Sequence, residues 1–192
     1  MDKGRLEAFS DGVLAIIITI MVLELRAPHE ASVAALAPLL PVFLSYVLSF
    51  VYIGIYWNNH HHMLHATRRV NGRILWANLH LLFWLSLVPF VTGWMGENHF
   101  GSLPVAAYGA VLLLAAGAYQ LLLRTIVTHE GSGSRLAGAV GRDLKGKISL
   151  TLYVIAIPLA FIHRLASALI YAAVAVIWFL PDPRIESKLD RH

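Results

Sequence analysis

The sequence predicts an all-α, polytopic membrane protein with six transmembrane helices per chain. Of its 192 residues 58% are hydrophobic and only 14% charged, so little chain remains from which a separate soluble domain could be built. Apolar runs of membrane-spanning length recur along the chain, separated by short polar breaks. Basic residues gather at alternate breaks, as topological anchors do.

The whole chain, 1–192, is expected to form one unit. Its spans are read at about 5–26, 36–65, 74–95, 103–126, 147–162 and 165–180. The first, from Leu6 to Leu25, is about 30 Å of helix, the thickness of a bilayer core. It is too long for a secretory signal, and Asp11 interrupts its head. The second carries Pro38 and Pro41 in its opening turns, where proline is tolerated, and leaves the bilayer near His62. Pro89 should kink the third. Arg124 is expected to end the fourth, whose Gly109, Ala115, Gly117 and Ala118 permit close helix packing. Gly131-Ser132-Gly133-Ser134 reads as a flexible turn, and 135–147 as a surface helix or an extension of the fifth span. The fifth and sixth spans are short and meet at His163-Arg164. Pro181-Asp182-Pro183 stops the last, and the tail from Arg184 frays.

An even number of spans puts both termini on one side. That side would hold Lys3, Arg5, Arg68, Arg69, Arg73, Arg124, Arg135, Arg142, Lys145, Lys147, Arg184, Lys188 and Arg191, leaving only Arg26 and Arg164 of the 15 basic residues opposite. The bias places both termini in the cytoplasm of a multi-pass cell-membrane protein. It also accounts for the net charge of +4 without nucleic acid. No cysteine is present, which removes disulfides and thiolate chemistry. No serine–histidine–acid spacing, phosphate-cradling loop or redox pair suggests an enzyme, and no organic cofactor is implied.

Chemistry concentrates in the first helix. On a helical wheel Ile16, Ile20 and Leu23 fall on one stripe, with Thr19 at its border. The stripe faces lipid or neighbouring helices unless copies meet around an axis, when it would form apolar rings. Asp11 lies well away from the stripe. Arg5 and Asp11, about 120° apart, cannot pair within the helix, so each needs a partner elsewhere or, for Arg5, the interface. Partners at the same depth are Trp57, Asn58, Asn59, His60 and His61 in the second span, and Trp76, Asn78 and His80 in the third. Glu24 would either draw cations to the outer mouth or pair with Arg26. His61 and His65 stand at i, i+4, a zinc-compatible spacing with His62 beside them. The glutamate of an HExxH site is missing, and interfacial or network roles are favoured over metal.

Arg5, Phe9, Ser10, Asp11, Ala15, Ile16, Thr19 and Leu23 fit the pattern R-x-x-x-F-S-D-x-x-x-A-I-x-x-T-x-x-x-L. With Trp57, His60 and His61 at the end of the second span and Asn78 through Pro89-Phe90 in the third, the chain resembles the transmembrane protein 175 family of endosomal and lysosomal potassium channels. The resemblance implies a homotetramer whose pore is lined by the first helix of each subunit. It implies a constriction at Ile16, further apolar layers at Ile20 and Leu23, and a pore-facing threonine layer at Thr19. A polar network of Arg5, Ser10 and Asp11 with Trp57, His60, His61 and Asn78 is carried over on shorter motifs. Ile20 departs from the valine or leucine common in relatives. The implied activity is passive, potassium-preferring cation conduction, with potassium the permeant, sodium passing less readily, and membrane lipids the surroundings. A proton- or cation-coupled secondary transporter is the alternative, and a non-conducting scaffold a third reading.

Overall fold

The computed structural model describes residues 3–131 and 144–179. The expected turn at 132–134, the stretch 135–143, the stop at 181–183 and the tail lie outside these residues. Every element among the described residues is helical. Helix α1 spans Lys3–Leu23, α2 Leu40–His65 after a 3-10 turn at Ala34–Leu39, and α3 Gly72–Ser86. They are followed by α4 Val88–Glu97, α5 Ser102–Glu130, α6 Leu144–Leu159 and α7 Arg164–Phe179. Four stretches, 3–23, 34–65, 72–97 and 102–130, are long and apolar enough to cross a membrane. Helices α6 and α7, at 16 residues each, are shorter. The chain is a multi-pass, all-helical membrane protein.

Several boundaries differ from expectation for local reasons. Helix α1 stops at Leu23 rather than at Arg26, where the Leu25 N–H turns back to the Val22 carbonyl at 3.1 Å. The third span breaks into α3 and α4 at Leu87, two residues before Pro89. Proline cannot donate to the carbonyl four residues back, Leu85, and its ring crowds that carbonyl. The chain therefore tightens to an i→i−3 bond from Leu87 N–H to Trp84 before resuming at Val91. Helix α5 continues past Arg124 to Glu130: Ile126 is buried, and the last turn is held by bonds of His129 to Asn71 and of Glu130 to the Arg68 N–H.

The two glycines read as packing sites in α5 behave oppositely. A Cβ on Gly109 would fall 1.9 Å from the Tyr171 hydroxyl oxygen, so only hydrogen there lets α7 approach. A Cβ on Gly117 would meet nothing within 4 Å, which corrects its reading as a close-packing residue. Ala115 and Ala118 are fully enclosed. A further glycine contact went unread: at Gly96 a Cβ would lie 2.7 Å from the Val42 backbone, making this the close crossing of α2 and α4.

The core draws on every α-helix, and a polar part of it sits between α2, α4, α5 and the α6–α7 hairpin. Tyr52, Tyr108, Tyr153 and Tyr171 are all buried there. The Tyr153 hydroxyl donates to that of Tyr52 (3.1 Å), and Tyr52 donates to the Tyr171 carbonyl (2.7 Å). Ser49 bridges the hydroxyls of Thr92 (2.7 Å) and Tyr108 (3.0 Å). Among the described residues no buried side-chain polar atom is left without a partner, as a low-dielectric interior demands.

Candidate functional site

Helix α1 packs against α2, α3 and α4 with one face only. Leu6, Ser10, Leu14, Ile17 and Met21, spaced i, i+4, i+8, i+11 and i+15, are buried. The stripe singled out in the sequence lies on the other side: Ile16 is 58% exposed, Ile20 43% and Leu23 78%. Thr19 is exposed with them, and its hydroxyl donates to the Ile16 carbonyl at 2.9 Å. With its proton used inside the helix, the Thr19 oxygen offers only lone pairs outward, a surface suited to a cation. The separation from Ile16 to Leu23 is about 10 Å along the axis.

The buried face carries a polar chain. His60 Nε2 lies 2.7 Å from Asn78 Oδ1, Asn78 Nδ2 donates to Ser10 Oγ (3.0 Å), and Ser10 donates to the Leu6 carbonyl (2.8 Å). Because the Asn78 amide nitrogen is spent on Ser10, its oxygen must accept, so His60 carries its proton on Nε2. Each donor finds one acceptor, and α1, α2 and α3 are joined at one depth. Ser10 and Asn78 are fully buried and His60 nearly so.

Asp11 belongs to a second, exposed cluster. Its Oδ1 accepts from Trp57 Nε1 at 3.0 Å, and Trp57 stacks on His61, which stacks in turn on His65, with ring centroids 6.1 Å apart at each step. The network expected as one unit is thus two, divided by the curvature of α1. Arg5 joins neither: it is exposed, and among the described residues it has no hydrogen bond or ion pair. Asn58 is exposed, and Asn59 bonds its own helix at the Ile55 carbonyl (2.8 Å). Trp76 stands 75% exposed, and His80 accepts from Trp84 Nε1 at 2.9 Å. No group of three metal-ligating side chains occurs among the described residues.

Glu24 lies just beyond α1 rather than on its last turn. Its Oε2 sits 3.9 Å from where a Cβ on Gly93 of α4 would be, and it makes no ion pair with Arg26. At the opposite end Lys3 Nζ donates to the His65 carbonyl at 3.1 Å. Near that end Asn71 bonds His129 at 3.0 Å and the Arg68 N–H bonds Glu130. The chain start, the α2–α3 loop and the end of α5 therefore share one end of the bundle, with Arg68, Arg69 and Arg73.

The sequence reading missed the buried tyrosine–serine–threonine cluster. Its local sign is Ser49 with Tyr52 at i, i+3 on α2. The other members sit far along the chain, Tyr171 being 119 residues from Tyr52.

Residues 5–89 match the family model described as endosomal/lysosomal potassium channel TMEM175. A potassium channel of Chryseobacterium sp. (strain P1-3) is 54% identical over 192 residues, the full length of both chains. This chain belongs to the TMEM175 family. The fold agrees with that of a solved TMEM175 relative, described as a lysosomal potassium-selective channel TMEM175 homolog from Chamaesiphon minutus. The TM-score is 0.81 at 28% identity, over 93% of this chain and 96% of that one. The Gallus gallus endosomal/lysosomal proton channel TMEM175 is 30% identical over 146 residues, which are 68% of this chain but 29% of that protein. The TMEM175 match at 5–89 contains the exposed α1 stripe and both polar clusters, whereas Tyr108, Tyr153 and Tyr171 lie beyond it.

Proposed function

We propose that the chain is the subunit of a homotetrameric, potassium-preferring cation channel of the prokaryotic cell membrane, with both termini in the cytoplasm. The observation that carries this reading is the division of α1. One face is packed into the subunit, while the other leaves Ile16, Ile20 and Leu23 uncovered on an isolated chain. Four copies meeting along that face would cover the stripe and convert it into stacked apolar rings. Family membership and the names of the relatives favour the same conclusion.

In this arrangement Ile16 forms the narrowest ring, with Ile20 and Leu23 continuing the constriction. An ion entering an apolar ring sheds part of its hydration shell, which is costly, so the ring is a barrier when narrow and wet when wide. Potassium holds its water less tightly than sodium and crosses at lower cost, giving a modest preference without a filter of carbonyls. Thr19 supplies outward-facing oxygen between the rings and offsets some of the lost hydration. Glu24 lies beyond the last ring, where a carboxylate raises the local cation concentration. Ser10, Asn78 and His60 hold α1 from behind, and Asp11 with Trp57 and His61 holds its flank. Arg5, uncommitted among the described residues, is available to a neighbouring copy. Conduction is passive, and the only species handled is the permeant ion.

Replacing Ile16 with asparagine tests the reading. Reconstituted channels should conduct more or discriminate less, because a polar ring hydrates readily. An unchanged current would remove Ile16 from the constriction. A coupled transporter would instead give saturable flux tied to a proton or second cation. The name of the Gallus gallus relative favours one addition, proton permeation through the same pore. A pH gradient imposed without potassium reads it as a proton current.

A further inference from the structure

Away from α1, the arginine-rich end of the bundle carries an open groove between α3 and α5, about 690 Å³ in volume and lined by Asn71, Arg73, Trp76, His80, Leu121 and Thr125. Its polar and apolar groups are sorted along its length. Arg73, Trp76, His80 and Phe83 follow one another at i, i+3, i+7 and i+10, so they descend one side of α3 through about 15 Å. All four are exposed. Along α3 Arg73 comes first, nearest the end of the bundle, then Trp76 and His80, and Phe83 follows about one turn beyond the last lining residue. Leu121 of α5, also exposed, forms the facing wall.

Among the described residues the arginine charge at this end is unpaired. Arg68, Arg69, Arg73 and Arg124 are exposed, and none makes an ion pair among the described residues, where Lys3–Glu7 is the only such contact. The nearby carboxylate, Glu130, is engaged by the Arg68 backbone N–H. Asn71 is committed as well, accepting from Ile74 N–H at 3.0 Å and bonding His129. A ligand that suits the groove therefore has an anionic, multi-acceptor head for Arg73 and an apolar tail that lies along Trp76, His80, Phe83 and Leu121. An exposed tryptophan between an arginine and a phenylalanine marks the level where headgroup gives way to acyl chain.

We propose that this groove binds one anionic phospholipid, with its phosphate on Arg73, assisted by the surrounding arginines, and an acyl chain along the α3–α5 seam. The proposal does not depend on what the chain conducts.

The test uses the full-length protein in phosphatidylcholine vesicles doped with phosphatidylglycerol brominated on its acyl chains, which quenches nearby tryptophan. The brominated anionic lipid should quench more than brominated phosphatidylcholine at equal content, and Trp76→Phe should remove most of that excess. Arg73→Gln should weaken the anionic preference about fivefold, equivalent to the ~1 kcal/mol that one basic residue contributes at an anionic surface, and Arg73→Lys should retain most of it. Equal quenching by the two lipids in the wild-type protein overturns the proposal without reference to any variant's folding. So does an excess that survives Trp76→Phe. Displacement of the quench by inorganic phosphate would assign the arginines to a free anion instead. A change of oligomeric size in Arg73→Gln would assign the groove to contact between copies.

Discussion

Asn78→Leu removes the central member of the chain that fastens α1 and keeps the side chain's size. Two contacts go: His60 Nε2 to Asn78 Oδ1 at 2.7 Å and Asn78 Nδ2 to Ser10 Oγ at 3.0 Å. They are not equivalent. Ser10 keeps its donor on the Leu6 carbonyl at 2.8 Å and loses only an acceptance, which between membrane helices averages about 0.6 kcal/mol. His60, 3% exposed, is left with a buried N–H and no partner, a penalty of about 1–3 kcal/mol. The sum is about 2–4 kcal/mol per subunit, with little return from leucine because lipid removes most of the hydrophobic drive. At roughly 2–4 °C per kcal/mol for a chain of this length, the melting temperature should fall by about 5–15 °C. The assay is size-exclusion chromatography of heated, detergent-solubilised protein, with Asn59→Leu as control, since the Asn59 side-chain amide donates within its own helix, to the Ile55 carbonyl. A melting temperature for Asn78→Leu within a degree of wild type would refute the claim that this chain anchors α1.

Asp11→Ala should reduce the yield of assembled protein more than it alters ion selectivity, while Asp11→Asn, which keeps an oxygen for Trp57 Nε1, should assemble nearly normally. Size-exclusion profiles and reversal potentials separate the two effects, and a well-assembled Asp11→Ala with altered permeation alone would reverse the assignment. Gly109→Ala must displace the Tyr171 hydroxyl and should cost about 1–3 kcal/mol by overpacking, whereas Gly117→Ala, facing open space, should melt within a degree or two of wild type. Equal effects of the two substitutions would contradict the helix crossing described for α5 and α7.

What could be read in the sequence follows from what local pattern encodes. The length of an apolar run reports a span directly, so α1, α2 and α5 were visible. Where a helix breaks depends on which carbonyl a proline orphans, so Pro89 announced the interruption while Leu87 took it. The end of α5 depended on the bonds of His129 and Glu130 to the α2–α3 loop, which no local pattern reveals. The exposed side of α1 was legible because a helix has one period and Ile16, Ile20 and Leu23 share it. Whether another copy covers that side is a property of assembly, and the wheel alone left it open. Asp11 and Ser10 are adjacent in sequence yet fall into different clusters, because 100° of helix rotation sends one into the subunit and the other to its edge. Gly109 and Gly117 look alike in sequence and differ in space only because Tyr171 arrives opposite one of them.

The most direct test of the central claim is the bi-ionic reversal potential of the purified, reconstituted protein, with potassium on one side and sodium on the other. A tetrameric pore narrowed by apolar rings predicts a passive current whose reversal potential is displaced toward potassium preference, and a reduced displacement in Ile16→Asn. A current reversing at zero or toward sodium preference, or no current from well-assembled protein, would contradict it.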